Sequence, residues 1–208
     1  MKDLIDCAMK REKCDLVVRS ASVLNVFTGE LEKADVAVKG GKIAAIGQGY
    51  EGGAVFDAEG LIVLPGLMDG HIHVESSLLS PEAFAQLAVS HGTTGIVADP
   101  HELVNVAGIA GAEYVKEAFS RIRKEGIEPL DVYLQLPSCV PATPFETSGA
   151  VLNGTETARE IVKPLFYGLG EMMNYPGVIA GDEDTLRKIE ASHAAGKVAD
   201  GHAPDVHG

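Results

Sequence analysis

Cationic residues are scarce in this chain: 17 Lys and Arg stand against 30 Asp and Glu, a formal charge of -13, with no arginine-rich or lysine-rich run. Such an acidic surface repels phosphate backbones, so nucleic acid is not expected as a partner. Cysteine is also sparse. Cys7, Cys14 and Cys139 are an odd number without metal-type spacing, which points to a reducing compartment. No stretch approaches the ~18 uninterrupted apolar residues of a membrane helix. The opening Met-Lys-Asp-Leu-Ile-Asp-Cys puts acids where an export signal needs an apolar core. The expectation is a soluble cytoplasmic protein with no membrane partner. What is present is ordinary for a folded globular chain: 46% hydrophobic and 23% charged residues, with 24 glycines that imply many tight turns.

Residues 1–14 read as a short polar helix or arm. Brief β-type runs follow at Asp15–Arg19, Ser22–Val26, Ala34–Lys39, Lys42–Ile46 and Ala54–Ala58, with Thr28-Gly29 and Gly40-Gly41 as hairpin turns. They predict a small antiparallel β domain over residues 1–60. From Leu61 the rhythm becomes strand, loop, helix. Strands are predicted at Leu61–Asp69, Thr93–Asp99, Asp131–Leu136, Phe166–Glu171 and Lys197–His202. Helices are predicted from Ser80 as N-cap with Pro81 in the first turn, over Ile109–Lys124 closed by Gly126, and over Thr185–Ala195. Alternation of this kind implies a parallel sheet with both faces covered. The fold class is α/β, a TIM-like (β/α)8 barrel over residues 61–208. A full barrel needs about 250 residues, so about five of the eight units fit here and the barrel is incomplete.

Each predicted strand ends in polar residues, on the barrel face where active sites gather. The strongest motif is Asp69-Gly-His71-Ile-His73 at the end of the first strand. Residues two apart on an extended chain point to one side, so both imidazoles can reach one ion, and neutral imidazole suits Zn, Fe and Mn. Asp69 offers a carboxylate for an imidazole N–H. The fourth strand ends in Gly170-Glu171; an acid emerging from an apolar strand is costly to bury unless cations sit beside it. The fifth ends in Asp200-Gly-His202, repeating the layout of the first and making His202 a candidate ligand. The second ends in Asp99-Pro-His101-Glu102, residues that could be outer ligand partners, substrate contacts or proton carriers. Asp99 and Glu102 are carried forward as candidate catalytic groups, and Glu75, Ser76 and His101 as candidate substrate contacts. His91 and His193 read as helix decoration, and His207 as an exposed residue.

Pro65-Gly-Leu-Met-Asp-Gly-His71-Ile-His73 resembles the signature of the amidohydrolase superfamily. The β unit before it looks like the first half of that superfamily's composite β-sandwich domain, whose remainder returns from the C-terminus. The fuller set His71-Ile-His-Val-Glu-Ser-Ser77, Asp99-Pro-His-Glu102, Gly168-Leu-Gly-Glu-Met-Met-Asn174 and Asp200-Gly-His-Ala-Pro204 is similar to the adenine deaminase branch. Many relatives bridge their metals with a carboxylated lysine at the fourth strand, where this chain has Glu171, as that branch does. The resemblance implies two divalent ions (Mn, Fe or Zn), with His71 and His73 on one, His202 on the other and Glu171 bridging. It also implies a purine base as substrate, hydrolytic deamination of adenine to hypoxanthine as the reaction, and homo-oligomers at full length. A sixth-strand histidine and an eighth-strand aspartate, which the family also uses, would lie beyond Gly208.

Rival readings are another amidohydrolase acting on a cyclic amide or a different amino-substituted ring, and a non-catalytic fragment keeping part of a metal site. His73-Val-Glu75 matches the H-x-E of the unrelated zinc nucleobase deaminases, but no Pro-Cys-x-x-Cys accompanies it. Gly47-Gln-Gly49-Tyr-Glu-Gly52 matches a dinucleotide fingerprint, but no helix is predicted after it, and a glycine-rich hairpin is the better reading.

Overall fold

The computed structural model describes residues 1–124 and 130–204, so the predicted helix stop at Gly126 and His207 lie outside the described residues. The chain divides into two compact units, Met1–Pro65 and Gly66–Gly208.

The first unit opens with helix α1 (Lys2–Ala8), followed by strands β1 (Cys14–Leu24), β2 (Leu31–Lys39), β3 (Lys42–Gly47), β4 (Gly52–Asp57) and β5 (Ile62–Val63). Two of the predicted runs fuse into the single strand β1. Its ladder with β2 shifts register between Val18 and Ala21, and Ser20 there adopts φ 63°. That bulge is held by Asp35, a buried acid whose two oxygens accept the N–H groups of Ser20 and Gly49, each at 3.0 Å. Gly40 and Gly41 carry the β2–β3 turn at φ 58° and 71°, the left-handed values a tight hairpin demands. The sheet is not wholly antiparallel as predicted. β2 pairs antiparallel with β1 and β3, but β4 and β5 both join β1 in parallel. Between β3 and β4 the chain crosses to the far edge of β1, with Tyr50 buried in the crossing, instead of folding back as a hairpin. Gly47–Gly52 is therefore a strand-to-strand connection with no helix after it, and the dinucleotide reading is excluded there.

The cysteine expectation is corrected. Cys7, at the end of α1, is disulfide-bonded to Cys14, at the start of β1, and only Cys139 is free. The two Cα atoms are 5.2 Å apart because the chain doubles back after α1, within the reach of a disulfide. Cysteine usage therefore gives no argument for a reducing compartment.

The second unit carries β6 (Leu67–Ile72), a 3-10 turn (Val74–Ser77), α2 (Pro81–Ser90), β7 (Thr93–Ala98), α3 (His101–Ala107), α4 (Ile109–Lys124), β8 (Asp131–Leu136), α5 (Gly154–Ile161), β9 (Gly168–Met172), α6 (Tyr175–Ala180), α7 (Glu183–Ala194) and β10 (Val198–Gly201). The five strands lie side by side in sequence order, all parallel, the arrangement of consecutive units of a (β/α)8 barrel. Alternation explains the packing. On β8, Val132, Leu134 and Leu136 face the apolar cluster, while Tyr133 and Gln135 take the other face. Ile96, Leu134, Leu136 and Leu169 from the strands meet Val104, Val115, Phe119 and Ile161 from the helices, each burial contributing ~1.5–3 kcal/mol. α2 starts as predicted, with the Ser80 hydroxyl accepting from the Ala83 N–H and Pro81 in the first turn. Three short helices were not foreseen: α3, α5 and α6. For α5 the signal was present, since Asn153 and Glu156 form a capping box. No helix among the described residues is long and apolar enough to cross a membrane.

Candidate metal centre

The strand ends bring the predicted ligands together. β6 continues in extended conformation through His73 (φ -97°, ψ 100°), so Asp69, His71 and His73 share one side. β9 delivers Glu171 with both oxygens engaged. Its Oε1 is 3.2 Å from His73 Nε2, and its Oε2 is 3.7 Å from His71 Nε2 and 2.6 Å from His202 Nε2. The two strand-one imidazoles approach at 3.4 Å, Nε2 to Nε2. Donor atoms held about 2.1 Å from one ion at tetrahedral angles would lie roughly 3.4 Å apart, so these spacings suit a shared cation. Ligand atoms of His71, His73, Asp99 and Glu171 all fall within 4.8 Å of one another. His202 stands outside that four-residue set, against the Glu171 carboxylate.

Asp99 has no exposed surface. Its Oδ2 accepts the Glu171 N–H at 3.0 Å, while its Oδ1 lies 3.0 Å from His101 Nδ1 in a misaligned approach that leaves both buried atoms without a hydrogen bond. An under-satisfied buried carboxylate beside three imidazoles fits a site built to hold cations. Gly170 makes the arrangement possible, because a side chain there would run into the Asp99 carboxylate at 2.3 Å.

The tautomers follow from the remaining contacts. His73 Nδ1 donates to the Asp99 carbonyl at 2.7 Å and His71 Nδ1 to Asp200 Oδ2 at 3.1 Å, so both Nε2 lone pairs face the cluster. Asp69 does not serve an imidazole as the sequence suggested; its Oδ1 accepts the backbone N–H of His71 at 3.1 Å. Burial depresses the His73 pKa, but the Asp99 carbonyl and the carboxylates of Glu102, Asp99 and Glu171 outweigh it and hold the pKa above the usual histidine range.

The other sequence candidates line the same rim. Glu102 sits at the start of α3, with Oε2 3.9 Å from His73 Nδ1 and Oε1 accepting the Ser76 hydroxyl at 2.6 Å. Burial, the Ser76 hydroxyl, backbone donation, the Glu75 side chain and His73 act on it together, and the net effect lowers its pKa. Glu75 Oε1 accepts the N–H groups of Glu102 and Leu103 at 3.1 and 3.3 Å. Burial first, and then the neighbouring Glu102 carboxylate, push the Glu75 pKa up to about 7 against the pull of backbone N–H donors. His101 is buried, with Nε2 facing the Cys139 N–H at 3.4 Å. A cavity of about 220 Å3 opens beside the cluster, lined by His73, His101, Glu102, Asn105, Cys139 and Glu171 among others. Glu75 and Ser76 face α3, not this cavity. Sequence reading gave no role to Asn105 or to Asp200, although Asp200 belongs to the quoted Asp-Gly-His run. His91 closes α2, its Nδ1 2.9 Å from the Leu87 carbonyl. A larger hollow of about 340 Å3 at the starts of β8 and β9 carries no metal-type cluster among the described residues.

Residues 62–208 match the amidohydrolase family. The chain belongs to that family. This amidohydrolase chain is 49% identical, over all of its 208 residues, to an adenine deaminase of Nitratidesulfovibrio vulgaris, and 47% identical to adenine deaminase 2 of Carboxydothermus hydrogenoformans. It spans 35% of the length of each. Among solved structures, an N-acyl-D-glutamate deacylase from Bordetella bronchiseptica superposes with a TM-score of 0.60 at 19% identity, over 92% of this chain and 45% of that one. At that identity the likeness speaks for the fold. The family and the His/Asp/Glu cluster together indicate divalent metal binding.

Proposed function

We propose that this amidohydrolase segment supplies the first metal-binding strands of an adenine deaminase, which hydrolyses adenine to hypoxanthine and ammonia for purine salvage. The observation that carries the reading is the convergence of His71, His73 and His202 on the two oxygens of Glu171, in a chain 47–49% identical throughout to named adenine deaminases. Glu171 stands where many relatives place a carboxylated lysine, which favours the adenine branch. The donor set of imidazoles and carboxylates suits two ions of Mn, Fe or Zn. His71 and His73 would hold one ion and His202 the other, with Glu171 between them and Asp99 alongside. Bound there, divalent ions lower the pKa of water to near neutrality and so supply a nucleophile.

The protein's own residues do the rest. The pinned Nδ1–H groups of His71 and His73 keep their Nε2 lone pairs aimed inward. Glu102, on the cavity wall and held by Ser76, is placed to take or return a proton beside the exocyclic amine of a bound base. Asp99 fixes Glu171 through its backbone N–H. His101 lines the cavity where the purine ring would lie, and Asn105 beside it offers an amide of the kind that pairs with adenine N6 and N7. A cytoplasmic setting, where free adenine arises, goes with this role.

The test uses the complete enzyme that carries this segment. Metal content and ammonia release from adenine are measured for wild type and His71→Ala. The expected result is that metal and turnover are lost together; full turnover without metal loss overturns the assignment. Turnover of a cyclic amide in place of adenine would overturn the substrate alone.

A further inference from the structure

We infer that Asp200 is the positioning residue that turns His71 into a metal ligand, a role the sequence offered to Asp69. The inference rests on the metal centre proposed above. His71 has two ring nitrogens with different neighbours. Nδ1 lies 3.1 Å from Asp200 Oδ2, whereas Nε2 lies 3.4 Å from His73 Nε2 and 3.7 Å from Glu171 Oε2. An ionised carboxylate only accepts hydrogen bonds, so the His71 proton sits on Nδ1 and the lone pair on Nε2 is left for a cation. Asp200 is itself pinned, since its Oδ1 accepts the N–H of Gly201 at 2.8 Å. Gly201 in turn packs against Met172 of β9, where an added Cβ would come within 3.0 Å of the Met172 backbone and Cβ. The carboxylate that orients the first-strand histidine is thus delivered by the fifth strand, 129 residues later.

The two histidines of the pair are held differently. His73 donates to a neutral backbone carbonyl, that of Asp99, and His71 to a carboxylate. A carboxylate partner fixes the ring through a side chain that substitution can remove, so His71 is the histidine whose orientation depends on a distant residue. Asp69, with its Oδ1 on the His71 backbone N–H, shapes the strand and not the ring. The Asp200 side chain is 43% exposed, so its contribution to folding is small and its effect should read out on metal.

Asp200→Ala, Asp200→Asn and His71→Ala are compared with wild type by calorimetric titration with Co2+ and by the visible Co2+ spectrum, after thermal melts confirm folding. Asp200→Ala is expected to weaken Co2+ binding about 10–100-fold and to shift the absorption bands. Asp200→Asn keeps an acceptor oxygen and is expected to fall between alanine and wild type, with a wild-type band pattern. If Asp200→Ala binds Co2+ as wild type does while His71→Ala does not, this inference fails and the metal centre stands. Should Asp200→Asn lose as much as Asp200→Ala and change the bands equally, Asp200 is a direct ligand and the positioning role is wrong. Wild-type binding by His71→Ala overturns both readings.

Discussion

Gly170→Ala puts the packing behind Glu171 under direct test. The alanine methyl would stand 2.3 Å from Asp99 Oδ2, 2.7 Å from its Cγ and 2.9 Å from its Oδ1, closer than side-chain carbons approach such atoms. Asp99 has no exposed surface, and its Oδ2 is the acceptor for the Glu171 N–H. Overpacking of this kind costs ~1–3 kcal/mol, and leaving the Glu171 N–H unpaired adds ~1–3 kcal/mol if the carboxylate swings away. The two costs are alternatives in part, so about 2–3 kcal/mol is expected, or a melting point lower by roughly 5–10 °C in a chain of this size. The second consequence is functional: displacing Asp99 moves the backbone that carries Glu171, so affinity for a divalent ion should fall as well. Urea midpoints and calorimetric metal titration on wild type and Gly170→Ala measure both. A variant within about 0.5 kcal/mol of wild type, with unchanged metal affinity, would refute the claim that Gly170 exists to admit the Asp99 carboxylate.

Two further outcomes concern the helices that brace the strands. Asn153→Ala removes the side-chain half of the α5 capping box, with the N–H groups of Thr155 and Glu156 losing their acceptor, and should cost ~1 kcal/mol by urea denaturation; no change would mean that α5 is held by packing alone. Asp182 caps α7, and the Thr185 hydroxyl and N–H hold its pKa below the usual value of 3.8. A depressed carboxylate pKa stabilises the fold above the unfolded value and loses that contribution as pH falls through the folded one. The wild-type urea midpoint should therefore drop more between about pH 5 and about pH 2.5 than that of Asp182→Ala, and equal slopes would refute the cap's role.

Much of the second unit was legible in the sequence because its signals are local. β8 and α4 fall at Asp131–Leu136 and Ile109–Lys124 as the periodicity indicates, and Ser80-Pro81 marks the start of α2. The first unit was harder. Short β runs specify strands but not partners, so the parallel pairing of β4 with β1 could not be read from alternation, and neither could the Cys7–Cys14 bond, which depends on where the chain turns after α1. The short helix α3 was hidden because His101-Glu102 read as a polar rim.

At the metal centre the division is sharpest. The sequence by itself determined the candidate ligand types and the strand ends that present them: two imidazoles two residues apart on an extended strand must face the same way. Only the tertiary structure decided which groups hold those imidazoles. Asp69 is two residues from His71 yet bonds its backbone, while Asp200, far along the chain, bonds its ring. The physical reason is that strand geometry is set by neighbouring residues, whereas a hydrogen-bond partner is set by which strand end lies across the barrel mouth, and parallel packing of β6 to β10 fixes that.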